Sequence, residues 1–201
     1  MKIKSKIESY EKIIELNLNR FPEKVFKCSE INEVNDFIKK YPANYYAIRD
    51  KSKAGGVFKL KVEPENILKE VAGYDLFSIN VSSYNYIDNQ LLVGEILISN
   101  TDVNAILSTN SKYSVRDAIR NPDFNFITNI FDDNILNRIP YFDKVYKYIV
   151  ENKLQNVIVE FAYFDKPVGI NNENIIIYEL RTDYWLYYDT QSQFWVSFYW
   201  N

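Results

Sequence analysis

Hydrophobic and polar positions alternate along this chain in two periods, and the switches between them mark out the expected elements. From Ile3 to Leu18 the apolar residues Ile3, Ile7, Tyr10, Ile14 and Leu18 recur at helical spacing, which predicts an amphipathic first helix closed by Arg20-Phe21-Pro22. Val25 to Cys28 reads as a short strand, and Ser29 can cap a second helix with Ile31, Val34, Phe37 and Ile38 on one face. YYAIRD and VFKLKV then flank the glycine-containing KSKAGG, the pattern of a hairpin. In its second strand Phe58, Leu60 and Val62 face one way and Lys59 and Lys61 the other, as in a half-buried strand. The lysines are either a solvated face or a basic strand lying over an anionic ligand.

Pro64 suits the start of a short helix facing the core with Ile67, Leu68 and Val71, and LFSINVSS alternates like a strand with one polar face. In LLVGEILIS, Gly94 predicts a bulge or a close approach, and Glu95 is out of place, so it either pairs with a lysine or binds a ligand. The pattern weakens from Ser99 to Thr128, where a loop-rich excursion is expected, with a strand at Ala105 to Ser108 and a helix started by the SVRD capping box. Phe142, Val145 and Ile149 mark a further helix ending near Asn152, and WLYYD and FWVSFYW form an aromatic hairpin around TQSQ.

The stretch between them carries acid where buried strands should not. Glu160 sits inside VIVEF and Glu179 inside IIIYELR. An antiparallel register with Glu160 opposite Glu179 centres the connection between Gly169 and Ile170 and sets Ile158 opposite Arg181. Side chains alternate faces along a strand, so Glu160, Glu179 and Arg181 would converge. Two buried carboxylates need counter-charge, and Arg181 alone leaves one negative charge. A lysine would make the cluster structural; Mg²⁺ would make it a site.

Composition narrows the chemistry. The 201 residues are 47% hydrophobic, enough for a real core, and 24 Lys and Arg stand against 27 Asp and Glu without a long like-charge run. A duplex DNA reader is not expected. No apolar run approaches the roughly 18 residues of a membrane span, and Met1 to Arg20 has no continuous signal-peptide h-region, so a soluble cytoplasmic protein is expected. With no histidine and the single Cys28, histidine-based triads, the usual zinc sites and an internal disulfide are excluded. Cys28 is expected to pack in a strand as a small hydrophobe.

From Phe21 to Tyr184 the pieces resemble an ATP-grasp domain, the nucleotide-binding fold of many carboxylate-amine ligases. FPEKVFKCSEINEVNDFIKKYP followed by YYAIRD is similar to that family's entry, with Arg49 where a lysine usually contacts phosphate, and KSKAGGVF is similar to its glycine-containing loop at Gly55 and Gly56. EFAYFDKPVGINNENIIIYELR is similar to the adjacent strands that carry its two acidic metal ligands. The resemblance implies an α+β fold of two lobes of mainly antiparallel sheet with packed helices, residues 1–95 and 96–201. It implies Mg²⁺ on Glu160 and Glu179, and ATP phosphates neutralised by Arg49 and Lys59. Arg181 stands where the family has an asparagine, which implies a guanidinium on phosphate in place of a second metal. The domain that usually precedes ATP-grasp is not expected, because the chain begins about one helix upstream, and the substrate pocket would be incomplete or supplied by another protein.

Two functions follow from this resemblance. One is an ATP- and Mg-dependent carboxylate-amine ligase or phosphotransferase; the other is a degenerate, non-enzymatic protein that contacts a protein partner through its aromatic hairpin. A third reading takes Arg49, the Ser82-Ser83 strand and Glu179 as an ADP-ribosyltransferase-like site.

Overall fold

The computed structural model describes residues 2–3, 5–52, 57–129, 137–182, 186–189 and 194–197. It is an α+β protein of mainly antiparallel sheets with packed helices. Its chain divides into two compact units: residues 1–18, 91–163 and 177–201, and residues 19–90 and 164–176.

The second unit is built on a four-stranded sheet of order β1-β4-β2-β3, with β1 Glu23–Lys27, β2 Tyr46–Asp50, β3 Phe58–Val62 and β4 Leu76–Val81. The central strands supply the core: Phe77 and Ile79 of β4 and Tyr46, Ala47 and Ile48 of β2 are buried. Phe26 packs its ring against those of Phe77 and of Phe37, which with Val34 is the inward-facing pair of the helix α2, Val34–Lys40. Sequence periodicity places one continuous helix after Ser29, but residues Cys28–Glu33 form a 3-10 turn that precedes α2. Cys28 is exposed at the start of that turn and does not pack in a strand.

β3 also departs from the sequence pattern. It is an edge strand, and its register against β2 shifts between Tyr46↔Val62 and Ile48↔Lys59, so the simple alternation is broken by a bulge. Phe58 and Leu60 are therefore 47% and 43% exposed, and only Val62 of the expected apolar face is buried. In the following short helix, α3 Ile67–Glu70, Ile67 is buried while Leu68 faces outward.

Most of a five-stranded sheet of order β7-β6-β5-β8-β9 falls in the first unit, while residues 164–168 of β8 and 173–176 of β9 are counted with the second. The strands of this sheet are β5 Gln90–Ile98, β6 Asp102–Ser108, β7 Phe124–Asn129, β8 Ile158–Val168 and β9 Glu173–Arg181. The expected loop-rich excursion is thus largely regular structure. In β7 the sequence FNFITN alternates, with Phe124, Phe126 and Thr128 turned inward, and its many asparagines lie on the open face of an edge strand. The helix α4, Val115–Arg120, starts at the predicted capping box, where Ser114 Oγ accepts from Asp117 N and Asp117 accepts from Ser114 N. Gly94 meets the backbone of β6 so closely that an added Cβ would lie 2.1 Å from the Ile106 carbonyl oxygen, the close approach its place in an apolar run predicts.

Two further helices among the described residues belong to the first unit. α5, Phe142–Glu151, buries Phe142, Val145 and Ile149 as their spacing requires. α1, Lys6–Glu15, is shorter than its periodic pattern and turned differently: Ile7 is 71% exposed, whereas Ser9 and Ile13 are buried. The reason is a backbone donor at the sheet edge. Ser9 Oγ accepts a hydrogen bond from Leu180 N of β9 at 2.8 Å, so a polar residue faces inward where it satisfies that amide. The C-terminal residues form the two strands β10 Leu186–Asp189 and β11 Phe194–Ser197, paired antiparallel as a separate sheet.

The connection from β8 to β9 is residues 169–172, with Gly169 at φ +79°. A side chain there would meet Asn19 Oδ1 at 2.5 Å. Asn19 itself is fully buried: its Nδ2 donates to the carbonyls of Val168 at 2.8 Å and Ile175 at 2.7 Å, and its Oδ1 accepts from Asn171 N at 2.9 Å. Nothing in the periodicity marks this residue. Replacing Asn19 with Ala strands several buried backbone groups, and urea titration should show a loss of about 2 kcal/mol; a loss under about 0.5 kcal/mol would mean water replaces the amide.

Candidate functional site

The strands β5, β8 and β9 each contribute a glutamate to one charged cluster of the first unit. Because these strands are neighbours in the order β5-β8-β9, side chains on one face can meet across them. Arg181 Nη2 donates to Glu95 Oε2 at 2.5 Å and lies 3.1 Å from Glu160 Oε1. Lys6 of α1 approaches Glu179 Oε2 at 3.5 Å. The carboxylates are largely withdrawn from water, with side-chain exposures of 10% for Glu95, 18% for Glu160 and 17% for Glu179, whereas Lys6 is 71% exposed.

Burial decides the protonation chemistry. Desolvation pushes the Glu160 carboxyl up from its ordinary 4.5 to about 7; the neighbouring Glu179 and Glu95 add to the rise, and Arg181 and Lys6 oppose it. Glu95 is also raised, chiefly by burial, with Arg181 pulling the other way through charge and hydrogen bond. Three acids face two cations, and below about pH 7 a proton on Glu160 closes the difference.

The sequence expectation brings Glu160, Glu179 and Arg181 together, and the structure does so. Glu95 joins them, but its partner is Arg181, not a lysine. Lys6 is the member that sequence reasoning missed. The helical phase of α1 could have offered it, since Lys6 and Ser9 are one turn apart and Ser9 is held to β9.

Mg²⁺ favours carboxylate oxygens at about 2.0–2.1 Å. The donors here are of the right kind, but the guanidinium lies between Glu95 and Glu160, within hydrogen-bond distance of both. Among the described residues no group of three or more His, Cys, Asp or Glu is arranged to hold a metal ion. Mg²⁺ does not fit the cluster as it is folded.

The remaining candidates lie on the β2–β3 hairpin of the second unit. Arg49 pairs with Phe58 across the hairpin and stacks on its ring, 4.7 Å from the centroid. Lys59 makes an ion pair with Glu70, and Lys61 lies over the rings of Tyr45 and Tyr84 at 4.9 and 4.5 Å. A shallow cleft of about 250 Å³ is lined by Tyr45, Lys59, Lys61, Glu63, Asn66 and Glu70. Gly55 and Gly56 lie outside the described residues. Ser82, an element of the ADP-ribosyltransferase-like reading, is fully buried, with its hydroxyl donated to the Leu60 carbonyl and accepting from Tyr84 N. That hydroxyl is committed to the fold. No helix among the described residues is long and apolar enough to cross a membrane.

No protein-family model matches the sequence, and no curated protein matches it. Solved structures resemble the fold. The D-alanine-D-alanine ligase of Helicobacter pylori is 12% identical, with 88% of this chain and 50% of that one covered at a TM-score of 0.44. N5-carboxyaminoimidazole synthase of Aspergillus clavatus is 10% identical, with coverage of 90% and 44% at 0.46. Phosphoribosylglycinamide synthetase of Anaerococcus prevotii is 16% identical, with coverage of 89% and 42% at 0.43. The chain spans about half the length of these structures, and at such scores the likeness carries no argument about ligand, metal or reaction. Over most of its own length the chain is similar in fold to part of each of these three enzymes.

Proposed function

We propose that this chain is an ATP-grasp-like nucleotide-binding protein whose ligand is ATP and whose phosphate-contacting part is the β2–β3 hairpin. The observation that carries the reading is the hairpin's charge: Lys59 and Lys61 of β3 line one cleft, Arg49 stands on β2 opposite Phe58, and Gly55 and Gly56 fall between these strands in the sequence. Polyphosphate recognition draws on cations and on backbone amides that can come close, and glycine is the residue type that permits the second. The present partners of these cations are weak competitors. Exposed pairs such as Lys59 with Glu70 are screened by water and add little stability, so exchange for a phosphate costs little.

Carboxylate-amine ligation is the finer form of this reading, and its support is the sequence resemblance around Glu160 and Glu179. No step is derived through Mg²⁺, because the cluster does not fit the ion. A second reading, a non-enzymatic protein that keeps the fold and binds a protein partner, is favoured by Arg181, which holds the acids in ion pairs. The aromatic hairpin to which it assigns that contact has side chains outside the described residues.

A thermal-shift panel of ATP, ADP, GTP and NAD, each with and without Mg²⁺, separates the readings. The expected result is stabilisation by ATP that does not need Mg²⁺, amounting to about 2.7 kcal/mol at a hundredfold excess over Kd. Arg49→Ala with Lys59→Ala should remove it. An ATP shift that survives in this double variant would reject the hairpin as the phosphate contact. A shift strictly dependent on Mg²⁺ and lost in Glu179→Ala would favour ligation, and no shift with any nucleotide would favour the interaction protein.

A further inference from the structure

We infer that Arg181 is a built-in counter-ion that takes the place of a divalent cation in the Glu95, Glu160 and Glu179 cluster, so that this cluster excludes Mg²⁺ and Mn²⁺ while the guanidinium is present. The inference goes beyond the nucleotide reading and does not depend on it.

The geometry is that of a cation shared between strands. One nitrogen, Arg181 Nη2, reaches Glu95 Oε2 on β5 at 2.5 Å and Glu160 Oε1 on β8 at 3.1 Å, while Arg181 itself belongs to β9. A divalent ion bridging the same oxygens would sit about 2.0–2.2 Å from each and would overlap the guanidinium. It would also bring two positive charges beside a fixed third in a site that is only 10–21% exposed at Glu95, Glu160 and Arg181, where repulsion is little screened. Arg suits this place better than Lys: its planar fork can bond two carboxylates at once, and it keeps its charge under burial. Glu179 has its own partner in Lys6, so each end of the cluster is held by a side chain of this chain.

The arrangement also explains why acids on adjacent strands do not form a metal-holding group. Three carboxylates would ordinarily repel one another until an ion bridged them. Here the guanidinium does the bridging, and the acids are drawn towards it, not towards a common vacant centre.

Removing the guanidinium should expose the carboxylates to metal. Mn²⁺ is the probe, with free Mn²⁺ followed by electron paramagnetic resonance during titration of the full chain, and the melting temperature recorded in parallel. Wild type is expected to show no saturable binding up to about 1 mM Mn²⁺, a concentration that fills even weak protein sites for hard cations. Arg181→Asn is expected to bind Mn²⁺ at a single saturable site and to rise in melting temperature when it does, and adding Glu160→Gln should abolish both effects. Saturable binding by wild type that Glu160→Gln removes would overturn the inference, as would a folded Arg181→Asn variant that takes up no Mn²⁺. Should Arg181→Asn be unfolded without metal, recovery of its near-ultraviolet circular dichroism on adding Mn²⁺ supports the inference, and failure to recover counts against it. ATP is left out of every arm, so a failure of nucleotide binding leaves this result unaffected.

Discussion

Arg181→Met loses about 3–5 kcal/mol of stability at pH 8, more than any other single substitution considered for this chain, because it leaves Glu95 and Glu160 without the cation they share. Methionine keeps most of the aliphatic stem and removes the charge, so packing is changed little. The loss comes from the carboxylates. Glu95 has a side-chain exposure of 10% and accepts from Arg181, and among the described residues no other cation is paired with it. The double variant Glu95→Gln with Arg181→Met should recover a substantial part of the loss, since the worst of the uncompensated charge is then gone. The sign also depends on pH. As the pH falls through about 7, where burial has pushed the Glu160 carboxyl, that group takes up a proton and the cost of losing Arg181 shrinks. Urea titration at pH 5 and pH 8 checks this directly: equal losses at the two values would show that Arg181 acts through packing and not through charge.

This dependence on neighbours up to two strands apart explains which parts of the protein can be read from its sequence. Local periodicity is enough for α5, where Phe142, Val145 and Ile149 fall on one face and are buried as written. It is enough for the acids of β8 and β9, because a glutamate in a run such as VIVEF has only a few stable solutions. It fails at β3, whose alternation is ordinary but whose position at the sheet edge and bulge leave Phe58 and Leu60 in the open. An edge strand and a central one differ in what lies beside them, and that information is not in the strand. α1 fails in the same way. Ile7 and Ile14 give the stronger apolar face, yet Ser9 points inward because Leu180 N needs an acceptor. A hydroxyl placed to satisfy a distant amide looks like an ordinary surface residue until its partner is known. Asn19 hides for this reason too, since its value lies in the carbonyls of Val168 and Ile175 about 150 residues away.

Between pH 5 and pH 8.5 the wild-type protein should lose stability as the pH rises, and Glu160→Gln should flatten the profile. The folded chain holds the Glu160 carboxyl at about 7, above its ordinary 4.5, so the folded state binds this proton more tightly than the unfolded chain does. A group raised in this way contributes its full stabilisation below the unfolded value, and that contribution is lost as the pH climbs through the folded one. The gap between the two values is worth at most about 3 kcal/mol, with Glu95, raised in the same direction, adding to the slope. Other perturbed groups stay out of this window. Asp117 and Asp123 are lowered by their hydrogen bonds to Ser114 and to Thr109 and Ser108, so their contributions are lost only in more acid solution. Lys24, Lys59 and Lys61 are raised by their partners and titrate far above it. At pH 5 glutamine differs little from a protonated glutamate, and Glu160→Gln should match wild type to within about 1 kcal/mol. At pH 8.5 the variant should be the more stable protein, because it has no charge to leave in a desolvated sheet beside Glu179. A Glu160→Gln profile that falls as steeply as wild type would place the proton elsewhere in the cluster, with Glu95 the remaining carboxyl that burial has raised.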